Sequence, residues 1–229
     1  MPKGITDKFH EFDYDIIYIP RCESLSFPVS MHPDMLFSVI GDGQLLTDRN
    51  YFLRNEAFFK SLEEIGVKIM LSERTLSANY PNDILFDAIK TENLLIGNLD
   101  FTAPELFLNN VKTVKVKQGY ALCSTLLMEN AAVSADTGIC NALTENGYDV
   151  LKVSPGDIVL DGYNCGFIGG ASAVLYDVKT VVFFGNIANH RDGEKITDFC
   201  KEHGYKVRYD KTLPLTDFGG VKLICVDTH

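Results

Sequence analysis

The sequence predicts an α/β protein built from one strand-strand-helix-strand unit that repeats along the chain. Residues 123–153 hold three apolar runs bounded by turn residues, a pattern typical of short β-strands. Asp136 and Gly147 flank a helical stretch between the second and third runs, and these residue types often begin and end helices. The same pattern returns at intervals of roughly 40 to 50 residues, which indicates a stacked or ring-like repeat architecture.

Three features recur in phase, which favours a true repeat over a chance likeness between apolar strands. The opening strands begin at Asp34, Asp83, Ser124, Ser172 and near Gly220. The second strands end at Asp48, Asn98, Asp136 and Asn186. The helices are followed by Gly66, Gly147 and Gly204.

Each complete repeat has its own local signals. In the first, residues 41–43 predict the hairpin turn and Asn50 is expected to cap the helix. In the second, Thr102 and Glu105 have the spacing of a capping box. The third is residues 123–153, and in the fourth Asp192 marks the helix entry.

A fifth repeat is predicted to be split between the two ends of the chain. Tyr14–Pro20 reads as a third strand with no helix before it, and the segment from Gly219 has only an opening strand. Pairing these two segments would close a five-fold pseudosymmetric ring and remove two exposed sheet edges. We therefore expect residues 1–229 to form a single domain.

Composition narrows the classes of function. The formal net charge of −10 argues against nucleic acid or an anionic membrane as the main partner. It suits a cationic small molecule, although solubility alone also explains it. The six cysteines form no Cys-x-x-Cys pair, and no apolar run suggests export or a membrane span, so we expect reduced thiols in the cytoplasm.

The sequence gives no reason to expect a metal or another cofactor. No cluster of residues has the spacing of metal ligands. The glycines of residues 166–170 precede a strand, whereas a phosphate-binding loop needs them after a strand and before a helix. Close backbone packing is the better interpretation of these glycines.

The geometry of the repeat predicts where a site would lie. The start of a first strand and the end of a second strand lie at the same rim of a hairpin, so all connectors and strand-end polar residues should share one rim. Such concave, loop-built rims are common binding sites. We therefore expect a small-molecule ligand on the axis of the ring, held by carboxylates such as Asp83 and Asp217.

A ring of five such units with a split fifth unit resembles the pentein, or α/β-propeller, superfamily. The segments VKQGYALCS, GFIGGAS and HPDMLF look similar to an uncharacterised bacterial group within it. The superfamily includes arginine and agmatine deiminases, dimethylarginine hydrolases and amidinotransferases, and also the ribosome-binding translation initiation factor 6, which is not an enzyme.

The resemblance implies a chemistry. In the enzymes a thiolate attacks a guanidinium carbon, a histidine carries the proton, and two carboxylates hold the planar cation. Their cysteine follows a Gly-Gly pair in the last unit. Here Val221 and Lys222 follow Gly219–Gly220, and Cys225 comes later, so the sequence departs from the pattern at this position.

Cys123, His32 and Asp34 are the candidate catalytic residues. Cys123 opens a strand at the expected rim, where it is either a displaced nucleophile or a small buried residue. His32 and Asp34 are two apart, so in a strand both would point to one face. Their alternative roles are a turn residue and a strand cap.

Candidate substrate-binding residues are Asp83, Asp136, Asn164, Cys165 and Asp217. Helix capping is the alternative role for Asp136. The leading hypothesis is a hydrolase or transferase acting on a guanidino or related amino-acid-like compound. The alternatives are a non-catalytic ring that binds a protein or ribosome partner, and a ring that has lost its chemistry.

Overall fold

The computed structural model describes residues 1–226, with the side chains of residues 108–110 excluded. Helices and strands follow one another in this order: α1 Lys3–His10, α2 Pro33–Leu36, β1 Phe37–Gly41, β2 Gln44–Thr47, α3 Arg49–Arg54, α4 Glu56–Glu64, β3 Lys68–Leu71, β4 Ile89–Lys90, β5 Leu94–Gly97, β6 Lys112–Lys115, β7 Thr125–Leu127, β8 Ala131–Ser134, α5 Thr137–Thr144, β9 Asp149–Lys152, β10 Ser172–Leu175, β11 Thr180–Phe183, α6 Gly193–Glu202 and β12 Lys206–Arg208. Short 3-10 helices cover Phe27–Val29, Pro104–Asn110 and Ile187–Asn189.

The strands within residues 1–226 form four three-stranded sheets, one from each predicted repeat. In every sheet the first strand is antiparallel to the second, and the second is parallel to the third. A parallel pair needs a crossover connection. In the first, third and fourth repeats the crossover contains α-helices. In the second repeat the crossover contains the 3-10 helix Pro104–Asn110. The mixed α/β fold with small sheets is thus confirmed.

The predicted fifth repeat is not among these sheets. In the described part of the chain, neither residues 14–20 nor residues 219–226 are assigned as a strand. Shortly before residues 219–226, Thr216 forms an isolated parallel β-bridge with Val159. The closed five-fold ring remains a prediction.

The chain divides into two compact units, which we describe separately. The first compact unit comprises Met1–Tyr18 and Leu122–Val221, and the second comprises Ile19–Ala121 together with residues 222–226. Sheets β7–β9 and β10–β12 lie in the first unit and share a core that includes Leu126, Val133, Val181, Phe183 and Ile196. Sheets β1–β3 and β4–β6 lie in the second unit, where Phe59 packs edge-on against Phe37 and Tyr51.

Helix capping follows the sequence signals in part. Asp136 begins α5, and its Oδ1 accepts a hydrogen bond from the Ile139 N–H at 2.8 Å, as predicted. For the first repeat the predicted cap, Asn50, is wrong. Asp48 caps α3 instead, by accepting a hydrogen bond from the Tyr51 N–H at 2.7 Å.

The predicted capping box at Thr102 and Glu105 is wrong. The Thr102 hydroxyl instead donates to the Asn98 carbonyl at 3.1 Å, and Ala103 is the residue before the 3-10 helix. The Glu105 carboxylate accepts from the Glu73 N–H at 2.6 Å. A contact with the connector after β3 therefore replaces the local cap.

All six cysteines lie in the described part of the chain and none is in a disulfide, as predicted. Five of them are buried or half-buried, and Cys225 is exposed. Among the described residues, no helix has both the length and the apolar character that crossing a lipid bilayer requires.

Candidate functional site

In the second compact unit, His32 and Asp34 come together in a helical turn. His32 precedes α2, Pro33 is its first residue, and Asp34 lies in its first turn. The prediction that both residues belong to a strand is therefore wrong, because Pro33 favours a helix start. The turn still brings His32 Nδ1 to 4.0 Å from Asp34 Oδ1, and both side chains are buried.

Asp34 is a buried carboxylate without hydrogen bonds. The residue is 2% exposed, and neither of its carboxylate oxygens accepts a hydrogen bond. A carboxylate oxygen of Asp87, itself buried, lies within 4.8 Å of one of Asp34. Two carboxylates this close repel each other, and desolvation of each ion costs several kcal/mol unless a cation compensates it.

Sequence reasoning missed Asp87, although a signal was present. Asp87 is the lone charged residue of the run Ile84–Ile89, whose other members are all buried apolar residues. A charged residue inside a buried apolar run is rare unless it is paired or functional.

Asp83 lies in the same unit, in a turn ahead of β4 rather than at the start of a strand. Its Oδ2 accepts a hydrogen bond from the Tyr120 hydroxyl at 2.7 Å. Its Oδ1 is buried and accepts no hydrogen bond. Burial raises the pKa of the Asp83 carboxyl above its ordinary value, and the Tyr120 hydroxyl opposes that shift.

In the first compact unit, the structure pairs Cys123 with Asp217. The Cys123 Sγ lies 3.6 Å from Asp217 Oδ2 and 3.9 Å from Oδ1, and both residues are buried. The carboxylate also accepts from the Phe167 N–H at 2.8 Å and the Gly219 N–H at 2.9 Å. Asp217 thus joins three chain segments, and its negative charge favours the neutral thiol of Cys123 over the thiolate.

Two glycines let a loop pack directly on this pair. A Cβ on Gly169 would lie 2.4 to 2.6 Å from the carbonyl oxygens of Thr125, Leu122 and Cys123. A Cβ on Gly170 would lie 2.0 Å from Asp217 Oδ1 and 2.7 Å from the Cys123 Sγ. At Gly169 the loop backbone closely approaches other backbone, as the sequence suggested, and at Gly170 it approaches the Asp217 and Cys123 side chains.

The other predicted substrate-binding residues have simpler surroundings. Asp136 caps α5, which was its alternative role. Asn164 is exposed and Cys165 is partly exposed, in the segment just before Gly166.

The fold is similar to solved structures of guanidino-modifying enzymes. One is a dimethylarginine dimethylaminohydrolase in an adduct with 4-chloro-2-hydroxymethylpyridine, with a TM-score of 0.56, 12% sequence identity, and coverage of 91% of this chain and 81% of that chain. Another is inosamine-phosphate amidinotransferase StrB1 from Streptomyces griseus, with a TM-score of 0.54, 12% identity, and coverage of 94% of this chain and 75% of that chain. Both are penteins, and this chain shares their fold.

Sequence comparison adds a family but no curated relative. A family model described as "Family of unknown function (DUF6873)" matches residues 1–222. No curated protein matches the sequence.

Proposed function

Since this chain belongs to DUF6873, a family of unknown function, we propose from its own residues that it binds a cationic guanidino or related amino-acid-like compound and acts on it as a hydrolase or transferase. The pentein fold supports this general kind of chemistry, because the similar structures are a hydrolase and an amidinotransferase of such compounds. At 12% identity the likeness is one of fold, so the residues must carry the proposal.

The observation that carries it is the Asp34 carboxylate. It is buried, its oxygens accept no hydrogen bond, and the carboxylate of Asp87 lies close by. A guanidinium ion offers both a positive charge and N–H donors in a fixed plane, so it would offset the repulsion and fill the empty acceptor positions. Because the oxygens are closed off from solvent, neighbouring side chains must move to admit the ligand.

The proposed reaction assigns roles to Cys123 and His32. The Cys123 thiol would lose its proton to a general base, and the sulfur would form a bond to the guanidinium carbon. An amine would then leave with that proton, and carrying it is the role that the sequence predicts for His32. Water or an acceptor amine would release the product and restore the thiol. His32 Nδ1 lies 4.0 Å from Asp34 Oδ1 in the second compact unit.

Calorimetric titration tests the binding step. We expect agmatine or L-arginine to bind, and L-citrulline, whose neutral ureido group replaces the guanidinium, to bind at least tenfold more weakly. Asp34→Asn should weaken agmatine binding by a similar factor, because it removes the charge and keeps the shape. Asp100→Asn, at an exposed carboxylate paired with Lys115 in the same unit, is the matched control and should bind normally.

Product analysis tests the catalytic step. Release of ammonia or an amine from the bound compound should stop in Cys123→Ser. Equal binding of agmatine by the wild type and by Asp34→Asn would refute the cation site, and turnover by Cys123→Ser would refute the nucleophile.

A non-catalytic ring that binds a protein or ribosome partner is the second candidate. It is favoured by the last repeat, where Val221 and Lys222 follow Gly219–Gly220 and Cys225 is exposed. A protein that neither binds nor converts guanidino compounds would fit this function.

The five-fold ring is part of the same proposal. If Tyr14–Pro20 pairs with the segment after Gly219, alternate backbone amides of residues 14–20 should be protected from hydrogen exchange. The exposed residues 78–80 give the reference for fast exchange. Equally fast exchange in both segments would contradict a closed fifth sheet.

A further inference from the structure

A second carboxylate of the second compact unit, Asp83, has its own unusual surroundings. The residue is 7% exposed, and its Oδ1 is buried with no hydrogen bond. Its Oδ2 is already engaged by the Tyr120 hydroxyl. Burial raises the pKa of this carboxyl, which means that its ionised form lacks full compensation and would gain from a nearby cation.

The Tyr120 ring is tied to this carboxylate by its hydroxyl, and the Tyr80 ring packs against the Tyr120 ring. The rings of Tyr80 and Tyr120 have centroids 6.0 Å apart and are inclined at 45°. Rings this far apart pack against each other, and the face of a tyrosine ring attracts a cation that lies over it, including one whose charge is spread over alkyl groups. Because the Tyr120 ring carries the hydroxyl that binds Asp83, the ring and the carboxylate are held together.

Tyr80 is held in place although it is half exposed. Its side chain lies against the backbone of Gly119, where a Cβ would be 2.7 Å from Tyr80 Cε2 and 2.8 Å from Ile84 Cδ1. Any larger residue at position 119 would displace the ring. Tyr80 is 53% exposed, so part of this aromatic pair faces solvent.

We propose that Asp83, Tyr120 and Tyr80 form a binding site for an alkylammonium ion that keeps at least one N–H. Because Asp83 Oδ1 is closed off from solvent, neighbouring side chains must move before the ligand N–H can donate to it. The alkyl groups then contact the tyrosine rings. A planar guanidinium fits less well, because it prefers two open carboxylate oxygens and one of these is occupied. A metal ion would need several oxygen or nitrogen ligands, and Asp83 offers one open oxygen.

Asp83 is one of the substrate-binding residues that the sequence predicts, but the alkylammonium site uses none of Asp34, Asp87 or Cys123, so the two sites can be tested separately. Trimethylammonium is a suitable probe, and tert-butanol is its neutral counterpart of similar shape. Tetramethylammonium has the charge and the methyl groups but no N–H. Line broadening and saturation transfer in ligand-observed NMR measure binding of all three to the full chain.

We expect trimethylammonium to bind at least tenfold more tightly than tert-butanol, and severalfold more tightly than tetramethylammonium. Asp83→Asn should weaken trimethylammonium binding at least tenfold, and Tyr80→Leu about threefold. Asp177→Asn is the matched control, because the exposed Asp177 also accepts a hydrogen bond from a tyrosine hydroxyl, that of Tyr14. It should bind as the wild type does.

Several outcomes would overturn the proposal. One is Asp83→Asn binding trimethylammonium as tightly as the wild type, with its fold confirmed by circular dichroism. Another is equal binding of tert-butanol. If Asp34→Asn abolished trimethylammonium binding and Tyr80→Leu did not affect it, the ligand would belong to the Asp34 site. If Asp83→Asn does not fold, unchanged binding by Tyr80→Leu and by Tyr120→Leu would refute the site.

Discussion

Gly169→Ala is expected to lower the free energy of unfolding by about 3 kcal/mol or more. This is a large fraction of the roughly 5 to 15 kcal/mol that stabilises an ordinary domain. The added methyl group would lie within 2.6 Å of three backbone carbonyl oxygens, those of Leu122, Cys123 and Thr125. Backbone cannot rotate away as a flexible side chain can. The loop of Gly169 would have to leave the segment that carries Cys123.

Urea denaturation followed by circular dichroism measures this loss. Gly147→Ala is the matched control: Gly147 has a positive φ of 87° after α5, but a Cβ there meets nothing within 4 Å. Gly147→Ala should lower the free energy of unfolding by only about 1 kcal/mol, because alanine is disfavoured in a left-handed backbone conformation. If the two variants lost equal stability, the close approach at Gly169 would not be a significant constraint.

The repeat could be predicted because its signals are local. Apolar runs, the Asp136 cap and the glycine after each helix depend on neighbours within a few residues, and all four sheets appeared where they indicated. The prediction of a cap at Thr102 was wrong because the Glu105 carboxylate accepts a hydrogen bond from the Glu73 N–H instead. A local sequence pattern cannot predict a contact with a residue so far away in the chain.

The site was less predictable because its pairings are long-range. His32 and Asp34 were placed together for the wrong reason: Pro33 starts a helical turn, and the turn joins them. Cys123 and Asp217 were both singled out, but as separate residues with separate roles. They are 94 residues apart, and only the folded loops bring the thiol to the carboxylate.

That pairing changes what is expected of Cys123. A thiolate at this position would face a carboxylate 3.6 Å away, and the side chain is closed off from solvent. In the protein without ligand we therefore expect iodoacetamide to modify the exposed Cys225 well before Cys123. Mass spectrometry of the peptides identifies the modified residue.

Asp217→Asn should speed the modification of Cys123 by roughly tenfold near neutral pH, because it removes the negative charge that opposes the thiolate. The amide cannot accept both the Phe167 and Gly219 N–H groups as the carboxylate does, so the variant should also lose about 1 to 3 kcal/mol of stability. Faster labelling therefore has two possible causes, the missing charge or local opening.

The pH dependence separates these causes. Removal of the charge moves the pH–rate profile of Cys123 to lower pH, whereas opening raises the rate at every pH without moving the profile. Cys200, fully buried in the same unit and with its pKa raised by burial to about 12, reports opening of that unit as a whole. If Cys123 and Cys200 became more reactive together and neither profile moved, Asp217 would be a structural link between loops, with no control over the state of the thiol.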